Sequence, residues 1–151
     1  MMANSTGLLP DDRTHALKFF CSYPTSFGLT LGASGYWTSG TPLSELGSSA
    51  APEMMPVFLQ PRGSVGRSPA IWDLNFRFVY EFSKTILAGL HPRLILDVLH
   101  ALSQKEPVVI DQQHYLGADE NGNQIAPNPN YQLPLRYQPP MSVRLGMEVD
   151  F

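Results

Sequence analysis

The stretch Met141-Ser-Val-Arg-Leu-Gly-Met-Glu-Val-Asp-Phe151 alternates between apolar and polar residues along its whole length. Side chains of a β-strand point alternately to its two faces, whereas a helix repeats about every 3.6 residues. The alternation therefore predicts a strand with one apolar face, formed by Val143, Leu145, Met147, Val149 and Phe151.

This strand is typical of the closing strand of a transmembrane β-barrel, which is about ten residues long, apolar towards lipid and polar towards the interior. The end of the stretch also fits the pattern polar-x-Gly-x-x-apolar-x-aromatic, by which the assembly machinery recognises outer-membrane barrels. The pattern is carried by Arg144, Gly146, Val149 and Phe151. An edge strand of a soluble β-sandwich is the alternative interpretation.

Composition narrows the class of protein. Asp, Glu, Lys and Arg make up 15% of the 151 residues, against about 25% in a typical soluble protein. The net charge is -3 and no basic patch is present, which argues against a nucleic-acid partner. The 14 prolines and 12 glycines are scattered and suit many turns. The sequence contains no run of about 18 apolar residues, so no transmembrane helix is predicted.

The sequence contains no pattern that predicts catalysis or a cofactor. Cys21 is the only cysteine, so neither an internal disulfide nor a thiolate metal cluster is expected. Asp119, Asn121 and Asn123 have the spacing of the first calcium ligands of an EF-hand, but the glycine falls at the wrong place and a polar turn is the better interpretation. We therefore expect no enzyme and no bound metal.

Strands are predicted at about 15–23, 29–39, 70–82, 93–103 and 141–151. The clearest of them carries one strongly apolar face with aromatic residues at both ends, as expected where a strand crosses both membrane interfaces. That face is formed by Trp72, Leu74, Phe76, Phe78, Tyr80 and Phe82. The segment 93–103 also fits a helical stripe, and its periodicity alone slightly favours a helix.

The connections between these strands alternate in length. Residues 1–13 are predicted to be a loop, the first and third connections are short, and the segments 40–69 and 104–140 are long. Alternate connections of an antiparallel meander lie on opposite sides. Both long loops are therefore expected on one side, as in outer-membrane barrels.

Several phrases together resemble the late strands of TonB-dependent outer-membrane receptors, in particular the subgroup with a carboxypeptidase-regulatory-like domain. The resemblance runs from about residue 10 to the last residue, and it decides the interpretation of 93–103 as a strand. The phrases are, in chain order, Phe27-Gly-Leu-Thr-Leu-Gly32, Gly40-Thr-Pro-Leu-Ser44, Gly63-Ser-Val-Gly-Arg-Ser-Pro69, Trp72-Asp-Leu-Asn-Phe-Arg-Phe78, Leu96-Asp-Val98, Asp111-Gln-Gln-His-Tyr115 and the stretch from Pro139 to Phe151.

The resemblance implies an all-β fold over 14–151, an antiparallel meander of about five strands that forms a fragment of a transmembrane barrel of about 22 strands around a plug. The implied function is uptake of a nutrient ligand across the bacterial outer membrane. The implied partners are outer-membrane lipid, the rest of the barrel and its plug, the barrel-assembly machinery, and TonB through the plug. These further parts and a signal peptide are expected to lie outside this sequence. Lipid-facing positions would be Trp72, Leu74, Phe76, Phe78, Tyr80, Phe82, Val143, Leu145 and Met147.

The alternative from a different class is a small soluble β-sandwich that acts as a binding module. In that case the aromatic face of 70–82 would form the core between two sheets. The identity of a transported ligand does not follow from the architecture, because one fold carries many functions.

Overall fold

The structure is a computed structural model that describes residues 3–50, 54–82 and 90–150. These residues form thirteen β-strands and no helix, and none of them belongs to a helix long and apolar enough to cross a membrane. The strands are β1 Ala16–Pro24, β2 Leu29–Thr38, β3 Pro42–Leu43, β4 Leu46–Ser48, β5 Pro56–Phe58, β6 Gly66–Arg67, β7 Ile71–Glu81, β8 His91–Leu99, β9 Pro107–Ile110, β10 Tyr115–Ala118, β11 Gln124–Pro127, β12 Pro134–Tyr137 and β13 Ser142–Asp150.

The five long strands form one sheet in the order β1-β2-β7-β8-β13, which is their order along the chain. Within the described residues, β1 and β13 each have one neighbour, so the sheet is open at both edges. The prediction of an all-β antiparallel meander of about five strands is confirmed.

The ambiguous segment after residue 90 is a strand, β8, paired with β7 on one side and β13 on the other. It ends at Leu99, before the predicted boundary at 103, because His100 and Ser103 have φ angles of 54° and 45°. These left-handed values end the extended conformation. The backbone N–H of Ala101 donates to the carbonyl of Leu74 over 2.9 Å, which holds this turn against β7.

The chain divides into two compact units. The sheet unit comprises Ala16–Trp37, Trp72–Lys105 and Gln138–Phe151, and the loop unit comprises Met1–His15, Thr38–Ile71 and Glu106–Tyr137. The eight short strands pair two by two as β3–β6, β4–β5, β9–β12 and β10–β11. The segments predicted as long loops therefore contain regular structure of their own.

The described residues bury small and polar side chains in preference to large apolar ones. No apolar side chain among the described residues is buried, apart from the proline Pro42, and many large ones are exposed. The buried polar residues are Thr38, Ser44, Ser48 and Asp73. Soluble domains bury Val, Leu, Ile and Phe first, so the described residues contain no core of that kind.

A ring placed over a glycine joins the first two strands of the sheet. A Cβ atom added to Gly35 on β2 would lie 2.6 Å from Cε1 of Phe19 on β1. The ring therefore occupies the space of the absent side chain, an arrangement that compensates for the weak packing of a glycine in a strand. Any larger residue at Gly35 would displace the ring.

A buried carboxylate fastens the turn after β8 to β7. The side chain of Asp73 is 8% exposed. Its Oδ1 lies 2.9 Å from Nδ1 of His100. Its Oδ2 accepts a hydrogen bond from Nδ2 of Asn75 over 3.2 Å. Oδ1 of Asn75 accepts from the backbone N–H of His100 over 2.9 Å. Three polar groups thus satisfy one another, as buried polar groups require.

We expect Asp73→Ala to lower the free energy of unfolding by about 1–3 kcal/mol, because it leaves partly buried donors without an acceptor. Asp97→Ala is the control. Oδ1 of Asp97 lies 3.4 Å from Nε of Arg77, whose side chain is 59% exposed. An exposed ion pair of that kind contributes about 0–1 kcal/mol. Urea unfolding of the chain in detergent micelles measures both, and equal losses would contradict the structural role of Asp73.

Candidate membrane-facing site

The register of β7, β8 and β13 places apolar residues in continuous rows across the sheet. Directly paired residues of antiparallel strands project to the same face. Three such rows, each running from β7 through β8 to β13, contain only apolar and aromatic residues: Phe76–Val98–Val143, Phe78–Leu96–Leu145 and Tyr80–Leu94–Met147.

The opposite face of the same strands carries charge. Its rows are Arg77–Asp97–Arg144, Val79–Ile95–Gly146 and Glu81–Arg93–Glu148. Nε of Arg77 lies 3.4 Å from Oδ1 of Asp97, and the Arg93 guanidinium pairs with Glu148 over 3.8 Å and with Asp150. Each pair is too exposed to contribute much stability. Two of the three rows on this face are ionic, and the row between them, Val79–Ile95–Gly146, is uncharged.

The apolar face is exposed on β13 and half-buried along most of β7 and β8. Val143, Leu145 and Met147 on β13 are 58%, 72% and 72% exposed. A contiguous apolar surface of this kind marks a place where another molecule or a membrane binds.

The predicted lipid-facing residues from Trp72 to Tyr80 lie along β7, and Phe82 follows directly after its end. The ring of Phe82 makes an edge contact with Tyr80 at 5.0 Å between centroids. Trp72 and Leu74, near the start of β7, line an apolar groove of about 440 Å³. Its other apolar residues are Leu17, Phe19, Tyr36 and Trp37, so both tryptophans of the chain line this groove.

The residues of the predicted assembly signal lie on β13 as far as the structure describes them. Arg144 and Gly146 belong to the rows of the charged face, and Val149 pairs with Pro92 of β8. Phe151 lies outside the described residues.

The loop unit contains a cluster that sequence analysis did not predict. Nδ1 of His114 lies 2.6 Å from Oε1 of Glu45, whose Oε2 accepts a hydrogen bond from Gln60 over 2.6 Å. The His114 ring stacks on Tyr115 and on Tyr131, each at 4.2 Å between centroids. Burial raises the pKa of Tyr131. Glu45 and His114 are 69 positions apart, so no local spacing could have revealed this pair.

The calcium-like sequence forms a self-contained turn. Oδ1 of Asp119 accepts hydrogen bonds from the backbone N–H groups of Asn121 and Asn123, and its Oδ2 accepts from the Asn123 side chain over 2.8 Å. The bond from the Asn123 side chain is the main reason that the pKa of Asp119 is lowered. Across the residues that the structure describes, no three His, Cys, Asp or Glu side chains are grouped to hold a metal ion.

Comparison with known proteins gives one informative result. No family model and no solved structure matches the chain. The chain is 30% identical to the TonB-dependent transporter Oar of Myxococcus xanthus, over an alignment of 187 positions that covers the whole chain. The chain is similar to a TonB-dependent transporter. It spans 17% of the length of that relative.

Proposed function

We propose that this chain forms neighbouring wall strands of the outer-membrane barrel of a TonB-dependent transporter and so takes part in uptake of a nutrient ligand. The observation that carries the proposal is the sheet with one uncovered apolar face and one ion-paired face. The similarity to Oar over the whole chain supports it. Membership of the subgroup with a carboxypeptidase-regulatory-like domain is proposed on the resemblance alone.

The two faces of the sheet suit two different environments. In hydrocarbon, an apolar side chain is stable, whereas a charged one at the midplane costs about 2–4 kcal/mol. The rows of Phe76, Phe78 and Tyr80 would therefore contact lipid. The rows of Arg77 and Glu81 would face the polar interior of the barrel and its plug.

The edges of the sheet indicate what completes it. Every backbone N–H and C=O in the hydrocarbon region needs a partner, so β1 and β13 both require a further strand. Because three strands of the antiparallel sheet lie between them, β1 and β13 run in the same direction. If a second copy of the chain, rotated about the barrel axis, extended the sheet, β13 of one copy would pair with β1 of the next in parallel. Antiparallel closure needs an odd number of additional strands, which we propose are supplied by the rest of a larger barrel.

A soluble β-sandwich requires a second sheet packed about 10 Å from the first, with both inner faces buried. The described residues bury none of the large apolar side chains of the sheet. No observation in the structure favours this alternative.

The remaining partners follow from the proposed location. TonB would act through the plug, and the assembly machinery would recognise the end of β13, with Arg144, Gly146, Val149 and Phe151 as the signal. The connections that follow β2 and β8 leave from the same end of the antiparallel sheet, and we propose that this end faces the cell exterior. Binding residues concentrate on loops held by a rigid scaffold, so the loop unit would contact the ligand first.

We expect Met147→Lys to lower the free energy of unfolding by about 2–4 kcal/mol in lipid vesicles, because it places a charge among lipid chains. Gly146→Lys is the matched control at nearly the same depth on the opposite face, in the uncharged row between two ionic rows. A Cβ at Gly146 would meet only Ile95, at 3.9 Å, so we expect a loss of less than about 1 kcal/mol. Equal losses for the two lysines would show that the two faces do not separate lipid from interior.

A second experiment tests the proposed orientation. Single cysteines at Ser49 and Asn123, in a Cys21→Ser background, should react with a membrane-impermeant maleimide on intact cells. A cysteine at Ser26, in the turn between β1 and β2, should be protected because it would lie on the periplasmic side. Labelling of Ser26 with protection of the other two positions would invert the orientation.

A further inference from the structure

Strand β4 in the loop unit is completed by the other long loop. One edge of β4 pairs with β5, where Gly47 lies opposite Val57. In addition to this pairing, the segment Ser44 to Ser48 is bonded to residues between Gln112 and Gln124. Two of these bonds join backbone groups: Leu46 N–H donates to the carbonyl of Gln112 over 2.9 Å, and His114 N–H donates to the carbonyl of Leu46 over 2.7 Å.

Three glutamine side chains provide the rest of this pairing. Oε1 of Gln112 accepts from the Ser44 N–H over 2.6 Å, and Nε2 of Gln113 donates to the Gly47 carbonyl over 2.9 Å. Gln124 bonds to both backbone groups of Ser48: its Oε1 accepts from the N–H over 2.8 Å and its Nε2 donates to the carbonyl over 2.9 Å. A side-chain amide thus replaces the peptide group of a neighbouring strand.

The absence of a side chain at Gly47 makes room for this amide. A Cβ atom there would lie 2.2 Å from Oε1 of Gln124 and 2.7 Å from Cδ2 of Leu59. Ser44 and Ser48 are 6% and 4% exposed. Water therefore has little access to replace a lost bond, and the backbone groups would be left unsatisfied.

We propose that Gln124, seated over Gly47, locks the two long loops into one cooperative unit, so that neither opens without the other. A ligand that displaced either loop would then release both. This goes beyond the proposed transport function, because it depends only on contacts inside the loop unit. It therefore stands or falls independently of where the sheet is located.

Hydrogen exchange of the full chain in detergent micelles tests the lock. Gln124→Leu removes the side-chain amide and keeps a side chain of similar size. Gly47→Ala keeps the amide but puts a methyl group in the space that the amide occupies. Each substitution should speed exchange of the Ser48 backbone amide hydrogen about tenfold. The effect should extend beyond Ser48 to the amide of Leu59, which is bonded to Glu45 within the first loop, and to the amide of His114, which is bonded to Leu46 across the two loops.

The double variant gives the sharper result. Because both substitutions break the same contact, Gly47→Ala combined with Gln124→Leu should be no faster in exchange than either single variant. Gly117→Ala is the control in the same unit, since its Cβ would make an ordinary 3.5 Å contact with Ile125, and it should leave exchange unchanged. Amides of β8 should also keep their protection, which shows that the sheet is folded.

Three results would overturn the proposal. The first is acceleration confined to Ser48, which would mean that the contact is local. The second is an additive effect in the double variant, which would mean that the two residues act separately. The third is an equal acceleration in the Gly117→Ala control, which would mean that any added methyl group loosens the unit.

Discussion

The register between β8 and β13 is the constraint on which the rest of the sheet depends. Pairing runs without interruption from Ser142 opposite Leu99 to Asp150 opposite His91. Side chains alternate with a period of two, so a slip by one residue would transfer every apolar side chain to the charged face. The pairs of Arg93 with Glu148 and Asp150 add little stability as exposed contacts, but in the observed register they bring opposite charges together on one face.

The two units of the chain are stabilised in different ways. The sheet unit presents apolar rows outward and depends on what surrounds it, whereas the loop unit is held by hydrogen bonds among side-chain amides, carboxylates and backbone groups. Small residues such as Ser44, Gly47 and Ser48 are buried there in place of large apolar ones. Such packing suits loops that remain in water, because their inner contacts are polar. The loop segments can approach one another closely because no bulky side chain stands between them.

The sequence predicted the long strands to the extent that their pattern is local. β7 and β13 alternate strictly and were evident from period two alone, whereas β8 is leucine-rich, fits a helix as well and needed the family resemblance. Its end at Leu99 depends on the left-handed conformation of His100, which no pattern signalled. The short strands β3 to β6 and β9 to β12 contain two to four residues each, too few to show a period. Contacts such as Ser48 with Gln124, 76 positions apart, depend on the fold and have no local signature.

Lipid exposure should alternate from residue to residue along β13 if one face of the sheet contacts the membrane. Nitroxide labels attached to single cysteines at each position from Ser142 to Asp150, in a Cys21→Ser background in lipid vesicles, report collisions with oxygen, which concentrates in lipid, and with a water-soluble nickel chelate. We expect oxygen maxima at Val143, Leu145, Met147 and Val149, with the nickel response out of phase. Uniform exposure to the nickel chelate, or two responses in phase, would contradict the claim that this sheet separates lipid from a polar interior.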